Sequence, residues 1–142
     1  MKKITVEMLE QFRACKDQLE EFEKIKDEDQ TVETAVKYAN VFEWCWAARN
    51  LLTKENLKAY NEAIAPFWKT YKEAQAPFWK TYEEAVSVYW KTRLEVPESF
   101  RKPFKETTAP FLKTYLEATA PSVKACNEAK ARTFAELYLS QE

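Results

Sequence analysis

Two nearly identical segments follow one another in the middle of the chain: APFWKTYKEAQ at residues 65–75 and APFWKTYEEAV at residues 76–86. The same eleven-residue pattern extends outward in both directions, so that eight blocks without an insertion cover residues 54–141. The fifth position is Lys and the ninth is Glu in each of the first seven blocks. Because eleven residues make three helical turns at about 3.67 residues per turn, the repeat predicts long α-helices.

Placed on a helix at about 100° per residue, the repeat separates into an apolar face and a polar face. The apolar face collects the third, fourth, seventh, tenth and eleventh positions of each block. The tryptophan column at positions 68, 79 and 90 is typical of a core or an oligomer interface, and the alternatives are a stacking platform for planar ligands or contact with lipid. The aromatic residues of this face form the candidate binding surface: Phe67, Trp68, Tyr71, Phe78, Trp79, Tyr82, Tyr89 and Trp90.

The polar face carries the charged columns and four prolines. Its Lys and Glu residues lie four apart, which favours a solvated face over a row of ligand-binding lysines. A proline inside a helix removes one hydrogen bond and clashes with the preceding turn, at a cost of about 3 kcal/mol. We therefore expect either kinks of the same sense in a continuous helix or a new short helix at each proline. The prolines share the second position of their blocks: Pro66, Pro77, Pro110 and Pro121.

Two further prolines, Pro97 and Pro103, lie outside this register and predict a break near 96–103. With that break, helix 54–95 folds back antiparallel on helix 104–139, or the chain assembles with copies of itself. A single uninterrupted helix would stretch to roughly 130 Å and expose more apolar surface than monomers usually show. We therefore expect the chain itself, a second copy, a partner protein or lipid to cover the aromatic face.

Residues 1–53 do not follow the repeat and are predicted to form a separate helical head, followed by the repeat region at 54–141. Thr5 can cap a first helix that continues to Phe22, and Thr31 can cap a second. The segment 40–43 is typical of a capping box for a third helix, and Thr53 can cap the repeat helix. The apolar positions of Cys15 and Cys45 predict buried thiols. The fold class is therefore all-α.

The composition excludes several kinds of chemistry. The 142 residues include no Gly and no His. Without Gly there is no phosphate-binding loop of the Walker or dinucleotide type, and without His there is no Ser-His-Asp triad and no imidazole metal site. The carboxylates show no acid–base motif. We predict a non-enzymatic protein with no catalytic, cofactor-binding or metal-binding residues.

Charge and cysteine usage bear on partners and location. The net charge of −1 shows no basic excess of the kind that nucleic acids attract, so no nucleic-acid partner is expected. The three cysteines contain no Cys-x-x-Cys pair, and no signal-peptide-like or membrane-spanning run of apolar residues is present. These features predict a cytoplasmic protein.

The head carries the segment VFEWCWAARNLL at residues 41–52, and tandem Ala-Pro-x-x-x-x-Tyr units follow it. This combination resembles a group of uncharacterised small proteins of bacteria and their phages, and the repeat alone resembles that of exchangeable apolipoproteins. The first resemblance implies a phage-type accessory factor that binds or sequesters a host component, for example of a defence system, in the host cytoplasm. The expected partner is a second copy, a host protein or both. A protein that binds lipid or membrane surfaces is the alternative.

Overall fold

The structure is a computed structural model that describes residues 3–100 and 103–141. Within these residues the secondary structure is entirely helical, which confirms the predicted all-α fold with two long helices. A short 3₁₀ helix, Glu98–Phe100, lies between the long helices. The α-helices are α1 (Val6–Gln11), α2 (Lys16–Ile25), α3 (Val32–Lys37), α4 (Trp44–Leu51), α5 (Lys54–Arg93) and α6 (Phe104–Leu139).

Threonine side chains cap three helices at their N-termini, as the sequence predicts. The Thr5 hydroxyl accepts a hydrogen bond from the Met8 amide, and the Thr31 hydroxyl accepts one from Thr34. Thr53 performs the same role for α5 through the amide of Asn56. Each bond satisfies an amide of the first turn that has no partner within the helix. The capping box predicted at residues 40–43 is not formed, because α4 begins after Glu43, whose side chain makes no capping bond.

The predicted first helix is interrupted between α1 and α2. Arg13 adopts φ 59°, and the amides of Arg13 and Ala14 donate to the carbonyls of Glu10 and Leu9. This bond pair is the helix-ending motif that usually places Gly in the left-handed position. Because the chain contains no Gly, an arginine occupies it. The prediction of a buried Cys15 is wrong for the same reason: the residue lies at the start of α2 and is exposed, while Cys45 is half-buried.

Both long helices continue through their prolines, so the prolines do not start new helices. Pro66 and Pro77 lie within α5, and Pro110 and Pro121 lie within α6. Each proline leaves the carbonyl four residues earlier without its helical N–H donor. Those carbonyls belong to residues that are themselves exposed, where water can serve as donor. The residues concerned are Glu62, Glu73, Glu106 and Glu117.

Helices α5 and α6 pack against each other in antiparallel orientation. Within residues 68–123, Tyr71 contacts Tyr115, whereas Tyr89, further along α5, contacts Phe104 at the start of α6. Helix α5 ends at Arg93 and α6 begins at Phe104. Residues 101 and 102, in the middle of the predicted break, lie outside the described residues.

The chain divides into two compact units. Unit 1 comprises residues 1–67 and 124–142, and unit 2 comprises residues 68–123. The predicted boundary at 53/54 falls inside unit 1, at the start of α5. A single apolar cluster forms the core of unit 1 and combines residues of the head with residues of both long helices: Leu9, Phe22, Ala48, Leu51, Tyr60, Ile64, Phe134 and Tyr138.

Candidate functional site

The inner part of the predicted aromatic surface lies between α5 and α6 in unit 2. A hydrogen bond of 3.5 Å joins the hydroxyls of Tyr71 and Tyr115, and the Tyr115 hydroxyl donates to Gln75 Oε1 at 2.8 Å. The bond with Tyr71 raises the pKa of Tyr115. This chain of polar groups fixes the register of the two helices. The predicted residues that are half-buried here are Tyr71, Phe78, Tyr82 and Tyr89.

The tryptophans of the same surface lie at its outer flank. Trp68 is 36% exposed, Trp79 is 44% exposed and Trp90 is 53% exposed. The Trp79 ring packs against Tyr115 at 5.6 Å, and its indole N–H donates to Glu83 at 2.8 Å. The Trp90 ring stacks on Phe104 at 6.0 Å. The indoles of Trp79 and Trp90 therefore contact α6 with one side and remain partly open to solvent on the other.

Leucines of α6 extend the apolar surface beside this row. Leu112 and Leu116 are exposed, Leu116 to 56%, and their spacing places them on one side of α6 with Val123. The opposite flank of the two helices forms a separate groove that contains Val88 and Phe111, so Leu112 and Leu116 share the side of the tryptophans. We call this surface the tryptophan face: Trp68, Trp79, Trp90, Leu112, Leu116 and Val123.

The groove on the opposite flank is open and mixed in character. Its volume is about 510 Å³. Apolar side chains line it together with hydroxyl and charged groups, and none of the described polar side chains that line it is fully buried. The groove is lined by Thr81, Glu84, Ala85, Val88, Tyr89, Thr92, Arg93, Val96, Thr107 and Phe111.

The charged columns pair along each helix. Lys69 lies 4.0 Å from Glu73, and Lys113 lies 3.8 Å from Glu117, with all four side chains more than 60% exposed. Exposed pairs of this length contribute a few tenths of a kcal/mol at most. The polar face is therefore a solvated surface of balanced charge.

The structure separates the predicted binding residues into two groups. The tyrosines and Phe78 are half-buried, and Tyr71 and Tyr89 contact α6, whereas the tryptophans remain more accessible. Phe67 is also exposed but belongs to unit 1. The predicted binding residues did not include Leu112 and Leu116, the fourth and eighth positions of the block at 109–119. The fourth position belongs to the predicted apolar face, whereas the eighth was assigned to neither face.

A second feature lies in unit 1, where residues of the head and of α6 line a partly open cavity of about 110 Å³. Trp44, Trp46, Phe22 and Phe134 contribute aromatic walls. The sequence pattern gives one signal for it: the last block, ARTFAELYLSQ, departs from the repeat and supplies Phe134 and Tyr138.

Three hydroxyl and thiol groups are buried in the same unit. Burial raises the pKa of Tyr60, and a contact of 3.7 Å between its hydroxyl and Cys45 Sγ raises it further. Burial also raises the pKa values of Cys126 and Tyr138. A raised thiol pKa keeps Cys126 protonated and poorly reactive. Among the described residues, the Tyr138 hydroxyl has no hydrogen-bond partner.

Within residues 3–100 and 103–141, no group of three or more acidic, Cys or His side chains is arranged to hold a metal ion. None of the described helices combines the length and apolarity that crossing a bilayer requires. No protein-family model, no curated protein and no solved structure matches the chain. The tryptophan face and the head cavity are therefore interpreted from their own geometry.

Proposed function

We propose that the protein is a non-enzymatic binding protein that uses the tryptophan face of unit 2 to bind a protein partner. The observation that carries this proposal is the exposure of three tryptophans and two leucines on one side of two packed helices. Tryptophan is enriched among the residues that dominate interface energies, because one side chain supplies a large rigid area. The partner is a second copy of the chain, a host protein or both.

The biological setting is part of the same proposal. The head segment at 41–52 and the tandem Ala-Pro units support a phage-type accessory factor that sequesters a host component in the host cytoplasm. Sequestration needs an accessible surface and no chemistry on the partner. The tryptophan face meets that need.

Balanced charge favours a protein partner over a lipid surface. Membrane-binding amphipathic helices usually carry an excess of Lys and Arg beside the apolar face. Here Lys69 pairs with Glu73, and Lys113 pairs with Glu117. Lipid binding remains the rival function, and liposome flotation of the intact chain distinguishes the two.

The test compares the wild-type chain with the double variant Trp79→Gln/Trp90→Gln. Light scattering over a range of concentrations reports self-association, and capture from host lysate followed by mass spectrometry reports a foreign partner. We expect the double variant to weaken the association at least about tenfold, since interface tryptophans commonly contribute 2 kcal/mol or more. Leu94→Gln is the matched control, because Leu94 is 82% exposed but lies outside the tryptophan face.

Equal loss in the Leu94→Gln control would indicate nonspecific adhesion and contradict the proposal. A chain that stays monomeric, captures no protein through these tryptophans and floats with vesicles would support the lipid alternative instead.

A further inference from the structure

We propose that the partner of the tryptophan face is a second copy of the chain, and that α5 of one copy packs antiparallel on α5 of the other about a twofold axis between residues 77 and 78. This dimer rests on the function proposed above, because it specifies which partner the tryptophan face binds. Two observations carry it: opposite charges at one position of two otherwise matching repeats, and small residues beside the exposed tryptophans.

The two repeats at 65–75 and 76–86 differ at only two of their eleven positions. One of these is the eighth position, which is Lys72 in the first repeat and Glu83 in the second. Both side chains are exposed. Eleven residues make about three helical turns, so the two charges lie on the same side of α5, about 16–17 Å apart. A helix side with opposite charges at equivalent positions is complementary to an antiparallel copy of itself.

The two charges border the tryptophans. Lys72 follows Trp68 by four residues and Glu83 follows Trp79 by four, which places each charge one turn further along the same side of α5. The indole N–H of Trp79 donates to Glu83 Oε1 at 2.8 Å and holds the carboxylate beside the ring. A carboxylate has two oxygens, so it can accept from a further donor. The ion pairs in the described part of α5 join the fifth and ninth positions of a repeat and do not involve Lys72.

An antiparallel arrangement pairs these charges in both copies. A twofold axis halfway between Lys72 and Glu83 places Lys72 of each copy level with Glu83 of the other, which gives two equal ion pairs. In a parallel dimer with the same register, each charge would instead face its own equivalent and be repelled. A parallel arrangement shifted by one repeat forms the ion pair only once and does not close.

The same axis places the tryptophans against small residues. Trp79 of one copy lies level with Ala76 of the other, and Trp68 lies level with Ser87. All four residues are exposed, and each of the two small residues lies three positions before a tryptophan, on the same side of α5. A large side chain beside a small one lets two helices approach closely, as ridges fit into grooves. Side-chain size and charge therefore favour the same register.

The tryptophans and the charges contribute differently to this interface. Large aromatic side chains supply most of the affinity of an interface, whereas exposed charges contribute little to it. Charges mainly select the partner and the register, because like charges in a wrong arrangement are repelled. A test of the dimer therefore has to change the charges and leave the tryptophans in place.

The experiment reverses the two charges one at a time in the full-length chain. Lys72→Glu and Glu83→Lys are each measured alone and then as an equimolar mixture. Sedimentation equilibrium gives the dissociation constant of the dimer, and native mass spectrometry distinguishes the mixed dimer from the two homodimers. Lys113→Glu and Glu117→Lys are the matched control pair, because these residues are also exposed and opposite in charge but pair with each other within α6. Circular dichroism verifies that every variant keeps its helices.

We expect each single variant to raise the dissociation constant of the dimer at least about tenfold, because two ion pairs become two contacts between like charges. In the mixture, a chain with two glutamates meets a chain with two lysines, so both ion pairs return. The mixed dimer should therefore form about as tightly as the wild-type dimer. The control variants should dimerise like the wild type, both alone and mixed.

A wild-type chain that stays monomeric at the highest concentration that remains in solution would overturn the dimer. So would single variants that dimerise like the wild type, or a mixture that associates no more tightly than either variant alone. The function proposed above has its own test in Trp79→Gln/Trp90→Gln. A monomeric chain that still captures a host protein through those tryptophans would refute the dimer and leave that function intact, whereas a double variant with unchanged association would refute both.

Discussion

The same repeat position is buried to different extents in the two units. Tyr60 in unit 1 and Tyr71 and Tyr82 in unit 2 occupy the same seventh position of consecutive blocks. Tyr60 is 1% exposed, whereas the other two are half-buried. Every apolar residue that is fully buried within the described residues belongs to unit 1, and the buried residues of unit 2 are Thr108 and Thr119.

The difference shows that the repeat specifies an amphipathic helix but not what covers it. In unit 1 the head supplies the cover, since Leu9 and Phe22 join the core cluster that contains Tyr60 and Phe134. In the described part of unit 2 the two long helices pack on each other, and the outer indoles stay accessible. Two packed helices form only one interface, so the flanks of a wide aromatic face remain outside it.

The largest expected effect is a difference in the free energy of unfolding between two matched substitutions, one in each unit. Phe134→Ala should lower the free energy of unfolding by about 3–5 kcal/mol, because the ring is 2% exposed and its loss leaves a cavity. Phe111→Ala should lower it by about 1 kcal/mol or less, since that ring is 39% exposed. Urea unfolding followed by circular dichroism measures both. Equal losses would contradict the contrast between the units.

Alkaline pH should act on unit 1 through Tyr60 and Tyr138. Both folded pKa values lie above the ordinary value of about 10. Below that pH both tyrosines are neutral in the folded and the unfolded state, so they contribute no pH dependence to the free energy of unfolding. Above it the unfolded chain ionises first, and stability falls by up to about 1.4 kcal/mol per pH unit for each tyrosine.

The measurement is the free energy of unfolding in urea at several pH values from neutral to strongly alkaline. Tyr60→Phe should make the free energy of unfolding decline less steeply above pH 10. In the neutral range its pH dependence should match that of the wild type. A decline of the same slope in this variant would show that other groups cause the alkaline loss.

The smallest effect concerns the buried threonines of unit 2. Thr119→Val should stabilise the protein by roughly 0.5–1 kcal/mol, because a buried methyl replaces a hydroxyl whose bond to the Tyr115 carbonyl adds little inside a helix. Thr114→Val is the matched control, since Thr114 makes the equivalent bond to the Pro110 carbonyl but is exposed. Thermal unfolding compares the two. Destabilisation by Thr119→Val would show that the hydroxyl supports the packing.

The sequence predicted the features that depend on local pattern. The eleven-residue period predicted the two long helices, and Thr5, Thr31 and Thr53 predicted helix starts. These features follow from side chains that act within a turn or two of their own position. For that reason a single sequence contains enough information to find them.

The features that the sequence did not predict depend on contacts with residues distant in sequence, or on an exception to a local rule. The end of α1 uses Arg13 where the motif normally uses Gly, so no turn signal was present. The division of the aromatic face into a half-buried part and an exposed row depends on which of its residues meet α6, a helix distant in sequence. The cavity depends on how the head meets Phe134 and Tyr138, more than 80 residues away from Trp44 along the chain.

The four helical prolines have a consequence for any larger assembly. Each one leaves a backbone carbonyl without its helical N–H donor, on the exposed side of the charged columns, where water can serve it. A fibre or bundle that enclosed a long helix on every side would trap those carbonyls in a dry interior, at a cost of roughly 1–3 kcal/mol apiece. In any such assembly the prolines would therefore disfavour contacts on the charged side and leave the side of the indoles as the less costly one.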